Sequence, residues 1–258
     1  MSRIRKYPPG VDPRLLIKDA ARLLPDPARR KFLRGGASLG ALAVLAGCDI
    51  TDSLSAEKAL TKISYFNDWV QARLFSPNTL APTYPDSAVT RPFPFNAYYP
   101  EDEAPEVDKA DYRLEVGGMV DNKTSWTLDE LYALPEETQI TRHVCVEGWS
   151  AIGKWSGVRL SEFLRRVGAD TRAKYVWFRC AEGYSTSIDM PTALHPQTQM
   201  TFKFDGEILP RKYGFPMKVR MPTKLGFKNP KHVMEIAVTD KYLGGYWEDQ
   251  GYNWFSGL

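Results

Sequence analysis

The stretch that decides the reading is Thr141-Arg142-His143-Val144-Cys145-Val146-Glu147-Gly148-Trp149. Residues 139–146 read as a strand, with His143 and Cys145 on one face and Arg142, Val144 and Val146 on the other. That strand carries a single thiol to its end and sets a carboxylate, Glu147, two residues beyond it. A thiolate is a soft metal ligand, and an acid beside it can move the protons that accompany electrons. The pattern points to a metal-centred redox site, although Glu147 as a salt-bridging surface carboxylate fits the sequence as well.

The sequence holds three cysteines. Cys48 closes the stretch Leu45-Ala46-Gly47-Cys48, which has the form of a bacterial lipoprotein cleavage box, with Asp49 behind it as in lipoproteins kept on the inner membrane. Cys145 and Cys180 remain. In an oxidising compartment two cysteines pair by default, so a disulfide-bonded, non-enzymatic lipoprotein is the rival reading. A domain of about 200 residues with a full apolar core does not need such a bridge. Zinc is disfavoured, because His143, Cys145, His195 and His232 lack close ligand spacing. A metal held by one protein thiolate must take its other ligands from elsewhere, and a sulfur-rich organic cofactor suits a soft ion.

Upstream, Ala28-Arg29-Arg30-Lys31-Phe32-Leu33-Arg34 is a twin-arginine run, followed by a small apolar segment from Gly35 to Gly47. That segment is short of the ~20 residues of a spanning helix and fits a signal peptide. The twin arginine belongs to the route that exports folded, cofactor-loaded proteins. Residues 1–47 carry ten of the 34 Lys and Arg but three of the 31 Asp and Glu, so the formal charge of +3 belongs to the leader. The remainder has 24 basic and 28 acidic residues, a net charge of −4, and nothing in it suggests nucleic acid.

The chain therefore divides into a signal peptide (1–47), a lipidated start with an aromatic segment and a Pro-rich arm (48–110), and a core (111–258), the domain reaching back to about residue 62. Seven prolines between Pro77 and Pro105 exclude a helix or inner strand there. Phe93, Phe95, Tyr98 and Tyr99 imply that the second half of the arm packs. Strands are predicted at 112–116, 175–180, 218–221 and 233–239, and a hairpin at 201–209 turning on Asp205-Gly206. Thr127-Leu128-Asp129-Glu130 has capping-box spacing, and a helix over 160–167 ends at Gly168. Many strands with few, short helices define a single-domain α+β fold.

Arg211 to His232 contains seven Lys and Arg and no acid. With Gly214 and Gly226 allowing close backbone approach, the run reads either as a site for a phosphate-bearing cofactor or as a solvated basic face.

The segment 142–149, the strand 175–180, Leu194-His195-Pro196, and the runs from Phe215 to Lys218 and from Gly226 to Lys231 together resemble the sulfite oxidase superfamily of molybdopterin enzymes. The nearest likeness is to its periplasmic branch, the protein methionine sulfoxide reductase catalytic subunits. It covers about Asn67 to Val238, and the run from Gly245 to Trp254 also recurs in the family. The resemblance implies a sulfite oxidase-type fold of mostly β strands, with molybdenum and molybdopterin as cofactors. Cys145 would be the one protein ligand of the metal, and Glu147 would line its open face and assist proton transfer. Asn67, Val70, Gln71, Cys180, Tyr213, Lys218, Asn229, Pro230 and Lys231 fall at cofactor-binding positions.

Three of these depart from the branch. Cys180 replaces a threonine, Tyr213 an asparagine, and Lys218 an arginine, giving a point charge for a bidentate fork. Sulfite oxidases proper follow the cysteine with an arginine-bearing segment that binds the anion, whereas Val146-Glu147-Gly148-Trp149 sets a negative charge there. The implied reaction is oxygen-atom transfer in the direction of sulfoxide reduction, with oxidation of sulfite or another small sulfur compound as the alternative. No counterpart of a haem domain or an immunoglobulin-like dimerisation domain is present, which implies a monomer and a separate electron partner, a membrane haem protein or cytochrome. The site would lie on the periplasmic side of the inner membrane, anchored by lipid on Cys48.

Overall fold

Alternation in Arg113–Gly118 (β1) turns Leu114 and Val116 inward and Arg113 and Glu115 to solvent. Trp126–Thr127 (β2) pairs with β1 on one side, and Val233–Thr239 (β10) runs parallel to it on the other. Tyr175–Cys180 (β5) and Ser185–Asp189 (β6) continue the sheet in the order β2-β1-β10-β5-β6. A second sheet contains Glu137–Val144 (β3), Ser150–Arg159 (β4), Gln199–Phe204 (β7) and Glu207–Ile208 (β8) in that order, with Lys218–Arg220 (β9) paired to β7. Leu114, Val116, Val176, Phe178, Met200, Phe202, Val219 and Ile236 from both sheets meet in one apolar core, capped by Phe163 and Leu164. This computed structural model describes residues 54–258, with side chains from Leu60 onward, and residues 61–258 form one unit. The twin-arginine run and the Cys48 box lie outside the described residues.

Among the described residues four α-helices accompany the sheets: Leu54–Leu74 (α1), Leu128–Tyr132 (α2), Leu160–Arg166 (α3) and Met190–Ala193 (α4). The capping box forms at α2: the Glu130 amide donates to Thr127 Oγ1 at 3.3 Å while Glu130 Oε2 accepts from the Thr127 amide at 2.7 Å. The 201–209 hairpin turns on Asp205 and Gly206, both with positive φ, as an Asp-Gly pair allows. Among the described residues no helix is long and apolar enough to cross a membrane.

Two local expectations change. The strand through the deciding stretch ends at Val144, so Cys145 opens a hairpin turn between β3 and β4 rather than occupying a strand. Val146 is accordingly exposed. Residues 54–74 form a helix where the sequence suggests only a lipidated start and an aromatic segment. β4, the longest strand, is obscured by Gly153 and Gly157, yet the packing demands both. A Cβ at Gly157 would lie 1.9 Å from the Met200 carbonyl oxygen, and one at Gly153 2.4 Å from Trp155 Nε1.

The Pro-rich arm lies against this second sheet. Phe93 inserts its ring edge-on against Trp155 and Tyr213, at centroid distances of 5.2 and 5.7 Å, in a small cluster with Ala151 and Leu209. That cluster backs the β3–β4 hairpin and fixes where its turn projects.

Candidate active site

The turn after β3 is built by its own backbone. The Cys145 amide donates to the Trp149 carbonyl at 2.9 Å and the Gly148 amide to the Cys145 carbonyl at 3.1 Å, with Gly148 at φ 91°. Only a residue tolerant of left-handed backbone fits that position cheaply. The turn presents the buried Cys145 Sγ 3.7 Å from Glu147 Oε2, which also accepts from Trp149 Nε1 at 2.9 Å. Burial, reinforced by the Glu147 carboxylate, pushes the Cys145 thiol up. A thiolate at this place therefore calls for a strongly attracting cation.

A second copy of the same turn faces the same space. Cys180-Ala181-Glu182-Gly183-Tyr184 repeats the pattern of Cys145-Val146-Glu147-Gly148-Trp149. Here the Cys180 amide donates to the Tyr184 carbonyl at 2.8 Å and the Gly183 amide to the Cys180 carbonyl at 3.2 Å, with Gly183 at φ 81°. The two turns bring Glu147 and Glu182 onto one cavity of about 170 Å³ with Cys145 in its wall. Asn229, Pro230 and Lys231 line it as well, and Tyr98, Tyr99, Phe227, Trp247 and Tyr252 give it an aromatic surface.

Among the described residues Glu182 Oε2 is buried without a hydrogen-bond partner. Burial pushes this carboxyl up to about 7, with Lys231 opposing. The folded chain thus holds a proton that an unfolded chain releases above the ordinary value of 4.5, so stability falls as pH rises from there to about 7. Glu182→Gln should remove a fall on the order of 2 kcal/mol. Chemical denaturation of both proteins at pH 5 and pH 7.5 measures it.

The basic run divides by burial. Arg211 and Lys212 stay near the surface, tied to Glu106 and Glu101. Lys224 and Lys228 are structural: the first donates to the Phe255 carbonyl at 2.9 Å, and the second is paired with Glu248. Lys218, Arg220 and Lys231 form an inner group without a carboxylate pair among the described residues. Arg220 Nη1 donates to His143 Nδ1 at 3.0 Å and to Asn229 Oδ1 at 2.9 Å, while its Nε has no partner among the described residues. Lys218 Nζ lies over the Trp155 ring, 5.1 Å from its centroid. Burial lowers all three, and Lys231 and Arg220 lower Lys218 further. Buried cations short of counter-charge suit an anionic group. Gly226 lets the loop close on this group, since a Cβ there would meet His143 Nε2 at 2.6 Å.

Of the residues singled out in the sequence, Cys145, Glu147, Asn229, Pro230 and Lys231 converge on the cavity. The structure places the others elsewhere. Lys218 lies in the inner cation group, Cys180 is a buried thiol at the end of β5, and Tyr213 donates to the Phe93 carbonyl at 2.6 Å. Asn67 is exposed on α1, Val70 is half-buried beside it, and Gln71 Oε1 accepts from the Gly257 amide at 3.2 Å. Glu182 is a site residue that the sequence reading passes over, although the repeated Cys-x-Glu-Gly-aromatic pattern signals it. Among the described residues Cys145 and Cys180 are both free, so the bridge between them that the rival reading expects is not formed in this fold.

Among the described residues no three His, Cys, Asp or Glu gather as a metal cage. One soft thiol at the wall of an aromatic cavity, with buried cations beside it, fits a metal that brings its own sulfur ligands on an anionic organic group. The fold and site define a metal-cofactor oxidoreductase domain. The oxidoreductase molybdopterin binding domain model matches residues 101–247, and the chain belongs to that family, within the sulfite oxidase superfamily. It is a molybdopterin-dependent oxidoreductase.

The chain is 63% identical over 241 residues to the putative protein-methionine-sulfoxide reductase subunit YedZ1 of Azospira oryzae, covering 93% of this chain and 92% of that protein. It is 34% identical over 152 residues to the protein-methionine-sulfoxide reductase catalytic subunit MsrP of Ralstonia nicotianae, covering 53% of this chain and 46% of that one. The sulfane dehydrogenase SoxCD of Paracoccus pantotrophus shares the fold, with a TM-score of 0.51 and 23% identity over 54% of this chain and 41% of that one.

Proposed function

We propose that the chain reduces sulfoxides of the methionine sulfoxide type, as the names of its relatives in Azospira and Ralstonia suggest for those proteins. The observation that carries this reading is the charge of the cavity: Glu147 and Glu182 both face it, and the cation in its lining is Lys231. With Lys231 engaged by the cofactor's phosphate, two acids remain in front of the substrate. Sulfite, an anion, finds no counter-charge there, whereas a neutral sulfoxide offers an oxygen that accepts a proton.

Cys145 would supply the protein's ligand to molybdenum, with Asn229, Pro230 and Lys231 holding the anionic end of the molybdopterin. When bound, that group supplies the two-electron redox couple for oxygen-atom transfer. The protein's own part is to place the substrate against the aromatic wall and to deliver protons. The sulfoxide takes up two electrons and two protons, its S–O bond breaks, and thioether and water leave. Glu147, which accepts from Trp149 Nε1 and lies beside Cys145 Sγ, would pass one of those protons. The remaining cofactor positions read from the resemblance, Asn67, Val70, Gln71, Cys180, Tyr213 and Lys218, belong to the same proposal.

The electrons would come from a separate membrane haem protein or cytochrome. The twin-arginine leader and the Cys48 box support export to the periplasmic side and a lipid anchor on Cys48. Steady-state assays on the loaded protein test the reaction: reduced viologen should be oxidised when methionine sulfoxide is added, with little ferricyanide reduction by sulfite. Rapid sulfite oxidation with no sulfoxide turnover would instead establish the sulfur-compound oxidase.

A further inference from the structure

Helix α1 has two differently used faces. Ser64, Asp68, Gln71 and the following Phe75 recur at i, i+4, i+7 and i+11, the spacing of one helical stripe. This stripe is the docked one: Asp68 Oδ1 accepts from the Phe255 amide at 2.8 Å, Gln71 Oε1 from Gly257, and the Phe75 ring packs edge-on to Phe255 at 5.8 Å. Lys62, Tyr65, Phe66, Trp69 and Arg73 follow at i, i+3, i+4, i+7 and i+11 on another face, and all five are exposed. The three aromatics keep 65, 61 and 60% of their surface in solvent, with Phe66 and Trp69 stacked at 6.2 Å. A helix that buries one stripe and still displays three large aromatics has a surface suited to a second apolar phase.

The charges identify that phase. Among the described residues, Lys62 and Arg73 are the cations of the outer face, and neither is in a salt bridge. The helix's acid in this stretch, Asp68, is turned inward and bonded. Aromatic rings flanked by Lys and Arg match the boundary between acyl chains and anionic headgroups, where the rings enter and the long cationic side chains reach back to phosphate. Chain length gives the second argument. Cys48 precedes the first residue of α1 by six positions, so a lipid on its sulfur would hold the start of the helix within about 20 Å of the bilayer. The helix face would add a protein contact beside that anchor and orient the domain on the bilayer.

We propose that the face of α1 formed by Lys62, Tyr65, Phe66, Trp69 and Arg73 lies on an anionic membrane surface. This second contact, added to the lipid on Cys48, would hold the catalytic domain against the bilayer. The inference rests on the membrane-anchored reading for its biological setting, but the helix can be tested without the lipid.

The full chain carrying Cys48→Ser is mixed with vesicles of phosphatidylcholine or of phosphatidylcholine and phosphatidylglycerol, and bound protein is sedimented. Binding should be stronger on the anionic vesicles and drop about tenfold when Phe66→Ser and Trp69→Ser are added in the same background. Because the leader is common to both proteins, their difference reports the helix. A site-specific measurement accompanies it: the fluorescence that Trp69→Phe removes from the Cys48→Ser chain should be quenched by brominated acyl chains. Trp69 emission indifferent to brominated lipid, together with unchanged sedimentation of the double variant, would overturn the proposal and leave the face to a protein partner. Radiolabelled palmitate incorporation in cells, lost in Cys48→Ser, tests the anchor separately. An unlabelled chain whose helix still binds vesicles refutes the anchor and keeps the helix.

Discussion

Cys145→Ser is expected to reduce turnover by more than about 10³-fold while leaving the fold within about 1 kcal/mol of the wild type. The two expectations have separate causes. The turn that carries residue 145 is held by backbone bonds to Trp149 and Gly148 and by the left-handed Gly148, none of which needs the sulfur. Serine is a smaller side chain in the same position, and Glu147 remains anchored to Trp149 Nε1. The alkoxide of serine is a harder and more strongly basic donor than thiolate, so the exchange would alter the electronics of the bound metal. Circular dichroism and chemical denaturation check the fold, and sulfur-edge and metal-edge absorption of the purified variant check the ligand. A variant that retains activity would overturn the assignment of Cys145 as ligand.

Glu248→Gln is expected to destabilise the protein by about 3–5 kcal/mol. Lys228 and Glu248 form an ion pair with both side chains 1% exposed. Glu248 Oε1 also accepts from Thr186 Oγ1 at 2.5 Å, and Lys228 Nζ donates to the Ser187 carbonyl at 2.6 Å. Burial lowers Lys228 and the Glu248 carboxylate opposes it, so removing the acid leaves an ammonium in a place that cannot solvate it. The pair ties the Gly226–Lys228 turn to the segment after Gly245, and Phe227, Trp247 and Tyr252 on these two pieces line the cavity. Denaturation midpoints measure the loss. In the double variant Lys228→Met with Glu248→Leu, the removal of both charges should restore much of it, since an apolar pair costs little to bury. Equal destabilisation of the double and single variants would show that packing rather than charge is responsible.

These two positions also show how far the sequence reaches. Cys145 and its acid are legible because five consecutive residues build their turn, and the chemistry of a thiol beside a carboxylate needs no distant partner to be recognised. Lys228 is legible only as one of seven cations, and its structural use depends on Glu248, twenty residues away, and on a strand that the sequence does not announce. Reading the run Arg211 to His232 as one anion site merges surface pairs, structural cations and an inner group that only packing separates.

The sequence by itself determined the α+β class, the strands β1, β5 and β10, the Asp205-Gly206 hairpin, the capping box at α2 and the resemblance that led to the family. All of these rest on short-range signals: alternation, turn chemistry and motif order. Tertiary structure decided that Cys145 opens a turn and that β4 needs glycines where Met200 and Trp155 approach. It also separated the cations of the basic run and turned the aromatic start of the domain into a helix with one face left outward. Each of these depends on what a distant part of the chain leaves buried or exposed. The second carboxylate turn lies between the two cases: Cys180-Ala181-Glu182-Gly183-Tyr184 is written in the sequence, but only the pairing of β5 with β6 and the closure of the two sheets bring Glu182 to the cavity of Cys145.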